Sequence, residues 1–233
     1  MSEAAPSHLI RGVAAPLPIA NLDTDQIMPK QFLRGIDKSG LKDGLLYDLR
    51  FDAQGRARSD FVLNRPEHAG ASILVGGSNF GCGSSREHAV WGLLQFGIRA
   101  VVAPSFAEIF HSNAMNNRLL LVALPQDQID ALMNDADGPD ANAVTIDIAA
   151  QTLRSRSVQA RFELRPRHRR MFLEGLDSIG LSLTHQAQIA AFAQAHWQRQ
   201  PWLKDVAATC RAAAPVALSR AQSISAPLSS KNG

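Results

Sequence analysis

Residues 71–117, ASILVGGSNFGCGSSREHAVWGLLQFGIRAVVAPSFAEIFHSNAMNN, decide how the chain folds. The apolar run 71–75 predicts a strand, and Gly76, Gly77, Gly81 and Gly83 after it predict a turn. A helix is expected over 85–96, opened by Ser84, Ser85, Arg86 and Glu87. A strand then follows over 98–103, a helix over 106–115 and a strand over 119–124. Alternation at these lengths predicts an α/β fold of parallel strands joined by right-handed crossovers, with ligands bound beyond the carboxyl ends of the strands. Local signals agree with the boundaries. Gly97 stands where a helix-ending glycine belongs, while Ser84 with Glu87 and Ser105 with Glu108 have capping-box spacing.

Outward toward the N-terminus, 9–20 mixes apolar residues with Gly12 and two prolines, which reads as a short edge strand. NLDTDQIMPKQFL follows. Asp23, Thr24 and Asp25 suit an Asx turn or helix cap, or else an acid that orients an arginine. Phe32, Leu33 and Arg34 put two apolar side chains beside a guanidinium, either to line a pocket for a branched acid or to anchor a loop. Residues 37–64 are rich in glycine and charge and read as a mobile excursion with little core of its own.

Outward toward the C-terminus, 126–134 reads as a short helix, and three alternating segments between 143 and 164 read as an antiparallel meander. The expected fold is therefore a mainly parallel β-α-β-α-β core with additional antiparallel strands. A helix starting at Pro166 should bury Met171, Phe172 and Leu176. A last helix over 184–198 places Ile189, Phe192 and Trp197 at helical spacing, a core pattern. From residue 207 the Ala-, Ser- and Pro-rich chain reads as a disordered tail, leaving 1–206 as one domain.

Composition narrows the function. The basic excess is only +3 and aromatics are 6%, so the arginines between 154 and 170 read as a solvated face or a protein contact rather than a nucleic-acid surface. The lack of a long apolar run or a basic signal-like N-terminus predicts a cytoplasmic protein without membrane attachment. Two cysteines, Cys82 and Cys210, do not make a metal-ligand set, so no metal or cofactor is expected on this chain.

The glycine loop is a candidate anion site, because the first N–H groups of a helix lack intrahelical partners and Arg86 adds a full charge. Two phosphate motifs fail here. A P-loop needs lysine where Cys82 stands, and a dinucleotide fingerprint needs a small residue where Arg86 stands. A small carboxylate fits better. Ser84 then has two possible roles: half of a capping box, or a hydroxyl in a field that stabilises its alkoxide, as a serine base requires. His88 reads as a packing residue and Cys82 as a turn member.

NFGCGSSREHA, APSFAEIF and NN-x-LL, together with N-x-DTDQI-x-PKQFL upstream and GLDSIGL downstream, resemble the small-subunit family of bacterial 3-isopropylmalate dehydratases over residues 9–200. The resemblance implies a swivelling β/β/α domain related to the last domain of aconitase. Its partner would be a large subunit holding a 4Fe-4S cluster, and its substrate isopropylmalate. It further implies that Ser84 is the base, that Arg86 binds a substrate carboxylate and that Asp25 is the acid of the TD motif. Arg34, Phe32 and Leu33 would form the specificity loop, with Gly83 and Ser85 against the substrate. Related hydro-lyases acting on homoaconitate or citraconate share these features, and a noncatalytic carboxylate-binding module would share the glycine loop alone.

Overall fold

A computed structural model of the chain describes residues 8–33, 39–138 and 142–213. Seven strands lie in one sheet among these residues: β1 (Leu9–Leu17), β2 (Ile73–Gly76), β3 (Ala100–Ala103), β4 (Leu120–Ala123), β5 (Ala143–Asp147), β6 (Thr152–Arg154) and β7 (Gln159–Arg161). Their spatial order is β4-β3-β2-β1-β5-β6-β7. The first four are mutually parallel, and β5, β6 and β7 continue antiparallel from β1. This is the expected core with its antiparallel extension. The helices are α1 (Thr24–Ile27), α2 (Tyr47–Arg50), α3 (His88–Phe96), α4 (Glu108–Asn116), α5 (Gln126–Asp137), α6 (Pro166–Glu174), α7 (Ser178–Leu183), α8 (Gln186–Arg199) and α9 (Val206–Ala213).

β1 is central, not the edge strand its prolines suggested. Its amino half pairs with β5 only as far as Val13, while its carboxyl half pairs with β2 from Ala14 to Leu17. Pro16 thus sits past the end of the β5 ladder, where its missing N–H costs no ladder bond. β2 and β3 are buried at every position, as strands covered on both faces must be. α3 buries Ala89, Val90, Gly92 and Leu93, and α5 buries Ile129 and Leu132.

The excursion expected to lack a core contributes to it. Leu41, Val62 and Leu63 are buried, and Leu45 and Leu46 have no exposure at all. Full burial of such side chains stabilises by about 1.5–3 kcal/mol each. Leu46 N–H donates to the Ile27 carbonyl at 2.9 Å, and the Arg50 guanidinium, stacked on Phe51 and Phe96, donates to the Leu45 carbonyl.

The chain divides at Leu181 into two compact units. In the first, α6 buries Met171 and Phe172 as expected, but Gly175 ends the helix at φ 69°, so Leu176 lies beyond it and is only half-buried. In the second, α8 buries none of its residues, with Phe192 at 71% exposure, so its aromatic spacing does not mark a core. The segment expected to be a disordered tail begins inside α9, and its residues 214–233 lie outside the described chain.

Candidate active site at the carboxyl ends of the parallel strands

Three loops, leaving β1, β2 and β3 at their carboxyl ends, are stitched together by hydrogen bonds. The β2 loop carries the glycines. Asn21 N–H donates to the Ser78 carbonyl, Gly81 N–H to Leu22 and Thr24 N–H to Cys82, each at 2.8 Å. On the β3 side, Phe80 N–H donates to the Ser105 carbonyl and Ala107 N–H to Phe80, both at 3.0 Å. Gly77 makes this approach possible, since a Cβ there would lie 2.6 Å from the Ile19 carbonyl carbon and oxygen. Gly83 adopts φ 94°, in the left-handed region that glycine favours, and thereby turns the chain toward Asp23 and Thr24.

α1 is locally determined. The Asp23 carboxylate accepts from Gln26 N–H at 2.8 Å, while the Gln26 side chain accepts from Asp23 N–H at 3.1 Å. The capping role read for Asp23 is therefore real, and it fixes the next two residues. Thr24, 3% exposed, donates its hydroxyl proton to the Ser84 carbonyl at 2.9 Å, and its oxygen lies 3.3 Å from Ser84 Oγ. With that proton committed to the carbonyl, Thr24 Oγ1 faces Ser84 as an acceptor. Asp25 Oδ1 accepts from Arg86 Nη1 at 2.6 Å, and Asp25 Oδ2 lies 3.5 Å from Lys30 Nζ. The pair is one-third exposed, Arg86 at 34% and Asp25 at 37% of the side chain, so its arginine is open to an incoming anion.

Both serine capping boxes are absent. α3 begins at His88 rather than Ser85, with Glu87 at its cap position and no side-chain cap bond. Ser84 is drawn to Thr24 instead, and the Glu87 carboxylate accepts from Asn117 Nδ2 at 2.9 Å. α4 likewise begins without a side-chain cap, because the Ser105 hydroxyl accepts from Asn79 N–H. The candidate anion site is thus the loop with its arginine, ahead of the start of α3 rather than at it.

Ser84 is half-buried, while Gly83 and Ser85 are set beside it in the same loop. The Ser85 carbonyl accepts from Asn113 Nδ2 at 3.3 Å. His88 packs its ring on Trp91, consistent with a packing role. Phe32 and Leu33 are half-buried against the core, and the Phe32 ring lies 5.0 Å from Tyr47. Arg34 falls outside the described residues. Sequence reasoning gave no role to Lys30, Asn113 or Asn117, although each stands within a motif, PKQFL or NN-x-LL or just ahead of it. Tertiary placement alone reveals what they touch.

No three His, Cys, Asp or Glu side chains among the described residues come together as a metal-binding group. The donor set at the loop, a serine, a threonine, an arginine and one paired aspartate, does not suit an iron-sulfur cluster, which takes thiolates. It suits a carboxylate and a proton transfer.

The aconitase C-terminal domain family matches residues 7–127, and the family of C-terminal domains from 3-isopropylmalate dehydratase small subunits matches residues 178–206. A 3-isopropylmalate dehydratase small subunit of Chromobacterium violaceum is 65% identical over 198 residues, covering 85% of this chain and 93% of the relative. Another, from Phenylobacterium zucineum, is 52% identical over 82% of this chain and 94% of its own length. The crystal structure of a 3-isopropylmalate dehydratase chain from Methanocaldococcus jannaschii superposes with a TM-score of 0.58 at 28% identity, covering 78% of this chain and 99% of that one.

Proposed function

This chain belongs to the family of 3-isopropylmalate dehydratase small subunits, built on the aconitase C-terminal domain, and on that premise we propose that it supplies one wall of a hydro-lyase active site. The reaction interconverts 2-isopropylmalate and 3-isopropylmalate in leucine biosynthesis. A proton leaves one carbon and hydroxide the next, giving an alkene and water, and both return in exchanged positions. The large subunit is the partner, and we assign it the 4Fe-4S cluster, which as a Lewis acid supplies activation of the hydroxyl. No described helix is long and apolar enough to cross a membrane, and we place the enzyme in the cytoplasm.

Ser84 is the base. As the alkoxide, its Oγ takes the proton from the carbon beside a substrate carboxylate, becoming the hydroxyl that can donate to Thr24 Oγ1, and then returns that proton to the alkene. The observation that carries this assignment is that Ser84 performs no capping: its Oγ lies 3.3 Å from Thr24 Oγ1, in the same loop as Arg86, which pairs with Asp25. Arg86 has five N–H donors, of which Asp25 engages one nitrogen, so the rest of the fork can hold a substrate carboxylate and stabilise charge near the serine. Asp25, braced by Lys30, fixes the guanidinium plane. Gly83 and Ser85 border the substrate, and Phe32, Leu33 and Arg34 receive its isopropyl group and second carboxylate.

The test combines the purified chain with the large subunit of the same genome under anaerobic, iron-reconstituting conditions. Interconversion of the two isopropylmalates is expected only in the mixture. An assembled pair that hydrates homoaconitate or citraconate intermediates and leaves isopropylmalate untouched would overturn the substrate assignment.

A further inference from the structure

Arg86 has a second carboxylate as its immediate neighbour in sequence, Glu87, yet among the described residues it ion-pairs with Asp25 alone. Glu87 is held elsewhere. Asn117, at the carboxyl end of α4, donates from Nδ2 to Glu87 Oε1 at 2.9 Å and to the Asn113 carbonyl at 2.9 Å, while its Oδ1 accepts from Trp91 Nε1 at 3.0 Å. The orientation of the amide is forced, because indole N–H can only donate and an ionised carboxylate can only accept. One oxygen and both amide protons are thus in use.

We propose that Asn117 is a positioning residue that selects the partner of Arg86. By turning the Glu87 carboxylate toward α4, it leaves the guanidinium to Asp25 and to the substrate carboxylate, and it keeps a second negative charge away from the serine base. Trp91 supports it by fixing the amide. The inference rests on the assignment of Arg86 to substrate binding.

The variants Asn117→Ala and Asn117→Ala/Glu87→Gln, assembled with the large subunit, separate this role from a structural one. Asn117→Ala should raise KM about tenfold, the scale of a charged hydrogen bond lost to a competitor, and should lower the melting temperature. Adding Glu87→Gln removes the competing charge, so KM returns to near wild type while the melting temperature stays low. A residue that only held the fold together would leave both defects in the double variant, and that result overturns the proposal. Trp91→Phe keeps an aromatic ring, smaller than the indole, but removes the donor and should raise KM in the same direction, again reversed by Glu87→Gln. If Asn117→Ala does not assemble, an unchanged KM in Trp91→Phe is the overturning result. The crystal structure of the full chain carrying Asn117→Ala decides the charge pairing without any turnover: a Glu87 oxygen within about 4 Å of the Arg86 guanidinium is expected, and Glu87 still turned toward α4 refutes it. A wild-type complex that fails to turn over isopropylmalate counts against the proposed function, whereas a working complex indifferent to Asn117 counts only against this inference.

Discussion

Thr24 shows how much of the site depends on single groups. Replacing it with valine keeps its shape but removes the hydroxyl that holds the Ser84 carbonyl, at a cost of about 1 kcal/mol in stability. Turnover should fall about tenfold or more as the serine loses its fixed position, and Thr24→Ser should recover most of it. Equal turnover in the valine variant would show that Ser84 is held by other contacts. Asp25→Asn should separate activity from stability. The Arg86–Asp25 pair is one-third exposed, so its loss costs at most about 1 kcal/mol, while kcat/KM should fall at least about tenfold because the guanidinium loses its ionic anchor. At this scale the sequence was legible where a short-range pattern met no competitor. Asp23 caps α1, one of the readings open to it, in a box with Gln26 that was not read from the sequence, whereas the Ser84/Glu87 and Ser105/Glu108 spacings are unused because Thr24, Asn117 and Asn79 take those side chains from across the fold.

Among the elements, α5 and the β6–β7 hairpin are joined through one buried acid. The Asp135 carboxylate accepts from the Ser155 hydroxyl at 2.6 Å and from the Ser157 N–H at 2.7 Å. Burial pushes its pKa up, but the hydrogen bonds outweigh burial and hold it below the ordinary value. A carboxyl depressed on folding contributes stability that is complete above its unfolded pKa of about 3.9 and is lost as pH falls through the folded one. Asp135→Asn should therefore lower the melting temperature at neutral pH and flatten its decline below about pH 4, as measured by thermal unfolding across pH. An unaltered acid profile would remove the carboxylate from the account. Gly77→Ala should loosen the contact between the β1 and β2 loops at a cost of about 1–3 kcal/mol, because its Cβ meets backbone and no side chain can move aside. The alternation of residues 71–124 made these parallel elements readable. The central place of β1 was not, because a strand paired with different neighbours along its two halves tolerates the prolines that usually mark an edge.

For the molecule as a whole, every buried core side chain among the described residues lies before residue 182, the last being Phe172. The aromatic spacing of α8 looked like a core stripe because periodicity records which residues share a face and says nothing of what covers that face. The functional wall was legible for a different reason: Ser84 and Arg86 lie two residues apart, and only Asp25 and Thr24 had to be brought in by the fold. The central claim is that Ser84 moves the proton. The most direct measurement is turnover of isopropylmalate by the assembled complex carrying Ser84→Ala, alongside its melting temperature. Since Ser84 caps no helix, stability should change by less than the roughly 1 kcal/mol that loss of a cap costs, while kcat falls by about 100-fold or more. Near-normal turnover in a fully assembled variant would contradict the account.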